Sequence, residues 1–229
     1  MKIFFLTLVC FTIVSTLSYS QEQPPQQQQV QSRQPTHQNH IKSGFYIKLG
    51  GSFPMGEFAN QQLYNDQGKT DTIAFNRGKF GGVFELGYII YLGPAFAKNH
   101  LRAGLDATFL AMSFNPSDQN LASGSSSTKK LQYWYYFAGQ KFGPIFTINP
   151  VDYLMIDLSY KINATAAWFN NMWGMNLALN EVSFGIRYRV IMFGFQYNWG
   201  KVNYTYNNDN SLKCLVDNST YRVLIGFKF

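Results

Sequence analysis

Between Ser43 and Phe229 apolar side chains return at every second position, and no long amphipathic helix interrupts them. The stretch YLMIDLSYKINAT is the clearest case. Leu154, Ile156, Leu158, Tyr160, Ile162 and Ala164 alternate with Met155, Asp157, Ser159, Lys161, Asn163 and Thr165. Successive side chains of a strand point to opposite faces, so this pattern requires a strand with one apolar and one polar face. Six more segments repeat it. Phe45, Ile47, Leu49 and Phe53 oppose Tyr46, Lys48 and Ser52, and Phe80, Phe84, Leu86, Tyr88, Ile90 and Leu92 oppose Glu85. Leu101, Ala103, Leu105, Ala107 and Phe109 oppose Arg102, Asp106 and Thr108. Val182, Phe184, Ile186 and Tyr188 oppose Ser183, Gly185, Arg187 and Arg189. Ile191, Phe193, Phe195, Tyr197 and Trp199 oppose Gly194, Gln196 and Asn198; Tyr221, Val223, Ile225, Phe227 and Phe229 oppose Arg222, Gly226 and Lys228. QYWYYFAGQKFGPIF carries rings on both faces and is counted as a strand without a face assignment, which brings the number to about eight.

The links alternate in length. Long polar ones are expected over Pro54 to Gly78, around NPSDQNLASGSSSTKK, at NNMWGMN and at NNDNSLKCLVDNS. Short ones fall at GPAFAKN, at INPVD and near Arg189-Val190. That rhythm fits an all-β, antiparallel, up-and-down barrel with one short-turn rim and one long-loop rim.

Period two cannot say which face meets water, because a soluble barrel and a membrane barrel differ only in being turned inside out. Composition decides. Aromatic residues make up 17% of the 229-residue chain and charged ones only 14%, against roughly 25% in ordinary soluble domains. The apolar faces carry rings near strand ends, as interfacial girdles do: Phe45, Tyr88, Tyr160, Tyr188, Trp199 and Tyr221. Lys48, Glu85, Arg102, Asp106, Asp157, Lys161, Arg187, Arg222 and Lys228 then form an interior charge network of both signs. Arg102 with Asp106, and Asp157 with Lys161, stand four apart on one strand, so their partners are expected on neighbouring strands. A closed transmembrane barrel satisfies every backbone group within the sheet, which lets such a chain meet lipid.

Met1 to Ser20 has a lysine, an apolar run from Ile3 to Val14 and small residues at Ser18 and Ser20, the pattern of a signal peptide that also removes Cys10. Residues 21–42, rich in Gln and Pro, have little to bury and read as a disordered periplasmic tether; residues 43–229 form the barrel. Cys214 is left as a thiol in a polar loop, without a partner for an intramolecular disulfide. His37 and His40 lack a completed ligand set, so no metal and no cofactor is expected. The formal charge of +7 is scattered singly, with Lys129-Lys130 the one adjacent pair, which excludes a nucleic-acid patch.

The strands GFYIKLGGSF and GGVFELGYII and the stretch FGPIFTINPVDYLMIDLSYKI resemble the outer-membrane β-barrel family of PorT-like proteins. The resemblance covers roughly Ser43 to Phe229 and implies an outer-membrane location and a small barrel, without supplying a reaction. Tyr221, Val223, Ile225, Phe227 and Phe229 are similar to the C-terminal signal that the barrel assembly machinery recognises on its clients. Expected partners are therefore outer-membrane lipid, that machinery during biogenesis, and a protein at the extracellular loops.

Beyond the tether His100 is the sole histidine, at the edge of a short link and without a serine or paired carboxylates arranged for hydrolysis. A backbone-bonded rim histidine is expected there, and no enzyme. The segment AAWFNNMWGMN gives a candidate extracellular docking loop of Trp168, Phe169, Met172, Trp173 and Met175, with Trp168 and Phe169 also suited to the outer girdle. The expected function is structural, docking or export-accessory. A narrow porin-like channel, a lipid-modifying barrel enzyme and a soluble ligand-binding barrel are the alternatives.

Overall fold

The computed structural model describes residues 41–55, 61–64, 70–73, 78–97, 100–120, 130–169, 172–206 and 209–229. The expected signal peptide with Cys10, the tether through His40 with His37, and the serine-rich run with Lys129 lie outside the described residues.

The described strands are β1 (Gly44–Pro54), β2 (Gln61–Tyr64), β3 (Thr70–Ile73), β4 (Gly81–Tyr91), β5 (Leu101–Asn120), β6 (Lys130–Val151), β7 (Leu154–Phe169), β8 (Met172–Tyr188), β9 (Ile191–Trp199), β10 (Lys201–Tyr206), β11 (Asp209–Asp217) and β12 (Thr220–Lys228). Eight of them close a ring in the order β1, β4, β5, β6, β7, β8, β9, β12, with every neighbour antiparallel. This is an up-and-down transmembrane barrel. The ring shuts where β12 pairs with β1, from Tyr46↔Lys228 to Pro54↔Thr220.

Beyond the ring the sheet continues upward at the distal end, away from Gly44 and Phe229. β10 prolongs β9 past a break at Gly200, and β11 leads into β12 past Asn218 and Ser219. Gly200 has φ 137°, a region that L side chains rarely adopt, and its carbonyl accepts the Asn218 amide at 2.8 Å. The first part of β8, Met172 to Met175, pairs with β10, while its lower part pairs with β9. The β2–β3 hairpin joins β11 at Tyr64↔Lys213.

These extensions correct the expected long links. Asn115–Asn120 and Lys130 are strand, NNMWGMN belongs largely to β8, and Cys214 stands opposite Tyr204 in the β10–β11 ladder, not in a loop. Polar composition concealed them because both faces of a strand standing clear of lipid are free to carry polar residues. One short turn falls as expected at Arg189-Val190; the other lies at Asp152-Tyr153, just past the expected Asn149-Pro150, which is still in β6, and Tyr153 and Arg189 have positive φ.

The outer wall is apolar. Phe45, Ile47, Leu49, Leu158, Tyr160, Ile162, Val182, Phe184, Ile186, Phe193, Phe195, Val223, Ile225 and Phe227 are all exposed. Rings gather at two levels. Near the termini Phe45 meets Tyr88 edge to face at 4.6 Å; further up, Phe53 meets Phe80 at 5.0 Å, Tyr197 meets Tyr221 at 4.7 Å and Phe114 meets Trp134 at 6.1 Å. Phe45 to Phe53 spans eight residue steps, about 20 Å of height for a strand tilted about 40°, close to the apolar band of roughly 25 Å in barrels of this kind.

Candidate functional site

The narrow lumen is filled in layers. At the terminal end Ile41, Tyr46, Ile89, Tyr91, Ile145, Met155 and Met192 form an apolar stopper. Ile41, expected in the tether, is 1% exposed. Its carbonyl accepts Arg102 Nη1 at 2.6 Å, and the Lys42 carbonyl accepts Lys228 Nζ. Arg102 also donates to Gly93 O at 3.0 Å, so it works at the rim instead of in the central network. His100 lies at this rim too, with Nδ1 2.7 Å from Asn149 O, as expected of a backbone-bonded histidine.

Above the stopper, Tyr91 Oη donates to Thr147 Oγ1 at 2.6 Å and Thr147 donates to Asp157 Oδ1 at 2.6 Å; Arg187 Nη2 reaches both Tyr91 Oη, at 3.1 Å, and Asp157 Oδ1, at 3.4 Å. Tyr46 Oη donates to Asp106 Oδ1 at 2.7 Å.

The central layer is a chain of alternating sign: Asp106, Lys161, Glu181, Lys141, Glu85, Arg222. Lys161 Nζ lies 2.9 Å from Asp106 Oδ2 and 3.5 Å from Glu181 Oε1. Lys141 Nζ bonds Glu85 Oε1 and, at 2.5 Å, Glu181 Oε2. Gln196 Nε2 donates to Glu85 Oε2 at 2.9 Å, and Arg222 Nη1 stands 3.7 Å from Glu85 Oε1. Of the expected interior residues, Asp106, Lys161, Glu85 and Arg222 are thus brought together, Asp157 and Arg187 pair with each other, and Lys228 lies at the terminal end; the Lys48 ammonium sits 4.3 Å above the Tyr46 ring. Arg189, by contrast, is exposed in the β8–β9 turn, where it covers Tyr153 and Tyr188.

Two members were missed from sequence. Lys141 lies on the segment with rings on both faces, and Glu181 is the first residue of EVSFGIRYR, on the same face as Ser183 and Arg187. Partner geometry also differs from expectation. Arg187 and Asp157 do sit on adjacent strands, but Lys161–Asp106, Lys141–Glu181 and Lys141–Glu85 each skip a strand. In a lumen this narrow, long side chains meet at the axis before they meet along the wall.

The candidate docking residues separate. Trp168 and Phe169 end β7, and Met172, Trp173 and Met175 begin β8, so they are strand residues and not a loop. Trp168, Trp173 and Met175 face outward, while Phe169 and Met172 are buried in a distal lumenal cluster with Tyr135, Ala167, Leu179, Val202, Tyr204 and Val216. Phe169 stacks on Tyr135 at 3.8 Å and does not belong to the outer girdle.

Between the layers lie small cavities. One of about 20 Å³ is bordered by Lys48, Asp106, Asp157, Ser159 and Ser183, and one of about 30 Å³ by Asn163, Asn198, Asn218 and Arg222. Each has room for a water-sized occupant or two. Lys141, Gln196 and the carboxylates stand between them.

No family model matches the chain, and no curated protein matches it. Solved structures that it resembles include the outer membrane protein OprG from Pseudomonas aeruginosa, at 14% identity over 84% of this chain and 99% of that one, with TM-score 0.44. Neisserial surface protein A matches at 16% identity over 82% of this chain and 100% of that one, with TM-score 0.38. The attachment invasion locus protein Ail of Yersinia pestis matches at 13% identity, with the same coverage and TM-score 0.36.

Proposed function

We propose that the chain is an integral outer-membrane protein with a non-enzymatic structural, docking or export-accessory role, carried by the wall and distal rim of the barrel and not by its bore. The observation that carries this reading is the lumen, where an apolar stopper, a six-membered charge chain and a distal apolar cluster occupy successive levels. A barrel of eight strands has room for side chains and little else. The lipid-facing rings and the terminal strand's outward Val223, Ile225, Phe227 and Phe229 support insertion by the assembly machinery. Membership of the PorT-like group is the finer assignment, supported by the strand-and-turn motifs of β1, β4, β6 and β7.

Fractionation tests the location. Heat-modifiable gel migration and detergent-dependent solubility are expected, and recovery in the soluble periplasm sinks the reading. In planar bilayers no steady current is expected; stable single-channel conductance favours the narrow channel instead. Outward Trp168, Trp173 and Met175 are the docking candidates that remain on the surface, and Trp173 and Met175 are the two not also suited to the girdle. Changing both to Ser should abolish capture of a cross-linked protein partner while barrel assembly stays intact, and unchanged capture removes them from that role.

A further inference from the structure

The charges buried in the lumen do not balance. Among the described residues Lys48, Lys141, Lys161, Arg187 and Lys228 are buried and the Arg222 side chain is 11% exposed; the buried carboxylates are Glu85, Asp106, Asp157 and Glu181. Six basic groups against four carboxylates leave the basic groups in excess among the described residues. Inside a wall surrounded by lipid an uncompensated charge is costly, so a counter-charge is expected within reach.

The cavity of about 30 Å³ has the groups to hold one. Arg222 turns Nη1 toward Glu85 at 3.7 Å and Nη2 toward Ser113 Oγ at 3.4 Å, and its Nε is buried without a hydrogen-bond partner. Asn198 Nδ2 and both side-chain polar atoms of Asn218 are likewise buried and unpartnered. Asn163 spends its Nδ2 on Asn198 Oδ1, at 2.9 Å, which leaves its own Oδ1 without a partner. All four residues line this cavity, joined by the rotatable hydroxyls of Ser113, Thr165 and Thr220. The unused groups are mainly N–H donors beside a guanidinium, and a buried donor left unmade costs its full desolvation.

We infer that this cavity is a resident binding site for a small inorganic anion, of the size and charge of a halide, with Arg222 as its counter-ion and the Asn198 and Asn218 amides as its donors. The ion neutralises part of the lumenal surplus and completes donors that the barrel itself leaves open. The volume accommodates one such ion with a water beside it.

The test uses the full barrel purified in detergent. Crystals grown in sodium bromide should give an anomalous peak between Arg222, Asn198 and Asn218. At equal ionic strength the thermal unfolding midpoint should stand about 4 °C higher in chloride than in gluconate, for an anion at roughly ten times its dissociation constant. Arg222→Gln should remove both effects. Because that variant also loses the Glu85 contact and can fail to fold, Asn198→Asp serves as the second: it places a fixed carboxylate where the ion would sit, and should fold while losing the chloride dependence. A cavity without a bromide peak overturns the proposal and leaves water as its occupant; an Asn198→Asp barrel that keeps the full chloride response overturns it equally.

Discussion

The terminal and distal halves of the barrel follow different rules. In the terminal half β1 and β12 pair without a break from Tyr46↔Lys228 to Pro54↔Thr220, and β8 and β9 do the same from Asn180↔Trp199 to Tyr188↔Ile191. Above the apolar stopper their interior is charged. In the distal half β7 and β8 shift register between Asn163 and Thr165, β10 and β11 shift between Thr205 and Tyr206, and the strands break at Gly200 and at Asn218-Ser219. Their interior is an apolar cluster. The difference is one of surroundings. Where the outer wall is apolar, lipid offers no hydrogen bonds, so the strands run on unbroken through the bulges at Leu86/Gly87 and Thr108/Ala111, and polar side chains retreat to the lumen. Where strands rise clear of the girdle, water relieves the backbone; kinks are tolerated and the inside packs as it does in an ordinary protein.

The largest effect expected from this contrast comes from the charge chain. Lys141→Met leaves Glu85 and Glu181 buried without their shared ammonium, a loss of about 3–5 kcal/mol when one partner of a buried pair is removed. Urea unfolding in detergent micelles or vesicles should show it. Replacing Lys141 and Glu181 together by Met and Gln should recover part of that loss, because Glu85 then keeps Arg222 and Gln196 while Lys161 keeps Asp106. A Lys141→Met barrel as stable as the parent removes the claim that the terminal half is organised by ion pairs.

The distal half answers to packing instead. Phe169→Ala removes one member of the Tyr135 stack and opens a cavity in the apolar cluster, at a cost of about 3 kcal/mol. The same urea titration measures it. A negligible change would place Phe169 on the outer wall after all.

Legibility in the sequence divides along the same line. β7 and β12 could be read residue by residue, since one face meets lipid and the other meets charge, and period two then assigns both. β6 could not, because Tyr135 and Phe137 line the lumen at the distal level while Trp134 and Tyr136 face outward; rings on both faces erase the alternation that would have placed Lys141 inside. Phe169 and Met172 were misplaced for the same reason, being apolar residues on the lumenal face. At β8 the extra residues near Leu177 and Ala178 reverse the parity between Met172 and Leu179, so the two ends of one strand follow different alternations. Which charges pair depends on strands brought together across the bore, and no spacing along the chain records that.

A smaller effect is expected at the break itself. Gly200 holds φ 137°, and a Cβ added there would stand 2.6 Å from Leu179 Cδ2. Gly200→Ala therefore meets backbone strain and crowding together, about 2 kcal/mol in all. The loss should be confined to the distal half, with faster amide exchange in β10 and β11 and unchanged exchange in β1 and β4. Exchange that rises equally everywhere would mean that the two halves unfold as one unit.

The smallest effect should fall one residue from one of the larger ones. Trp168 and Phe169 are chain neighbours on opposite faces of β7, the first 45% exposed and the second 3%. Trp168 sits across from Trp173 on β8 and from Tyr136 on β6, all three exposed, so truncation opens no cavity in the lumen. Trp168→Ala should cost about 1 kcal/mol or less in the isolated barrel, against about 3 kcal/mol for Phe169→Ala. Urea titrations of the two variants side by side give the ratio directly. Equal losses would mean that the outer face of β7 is packed as tightly as its lumenal face, and the distal wall would then have to be read as a covered surface.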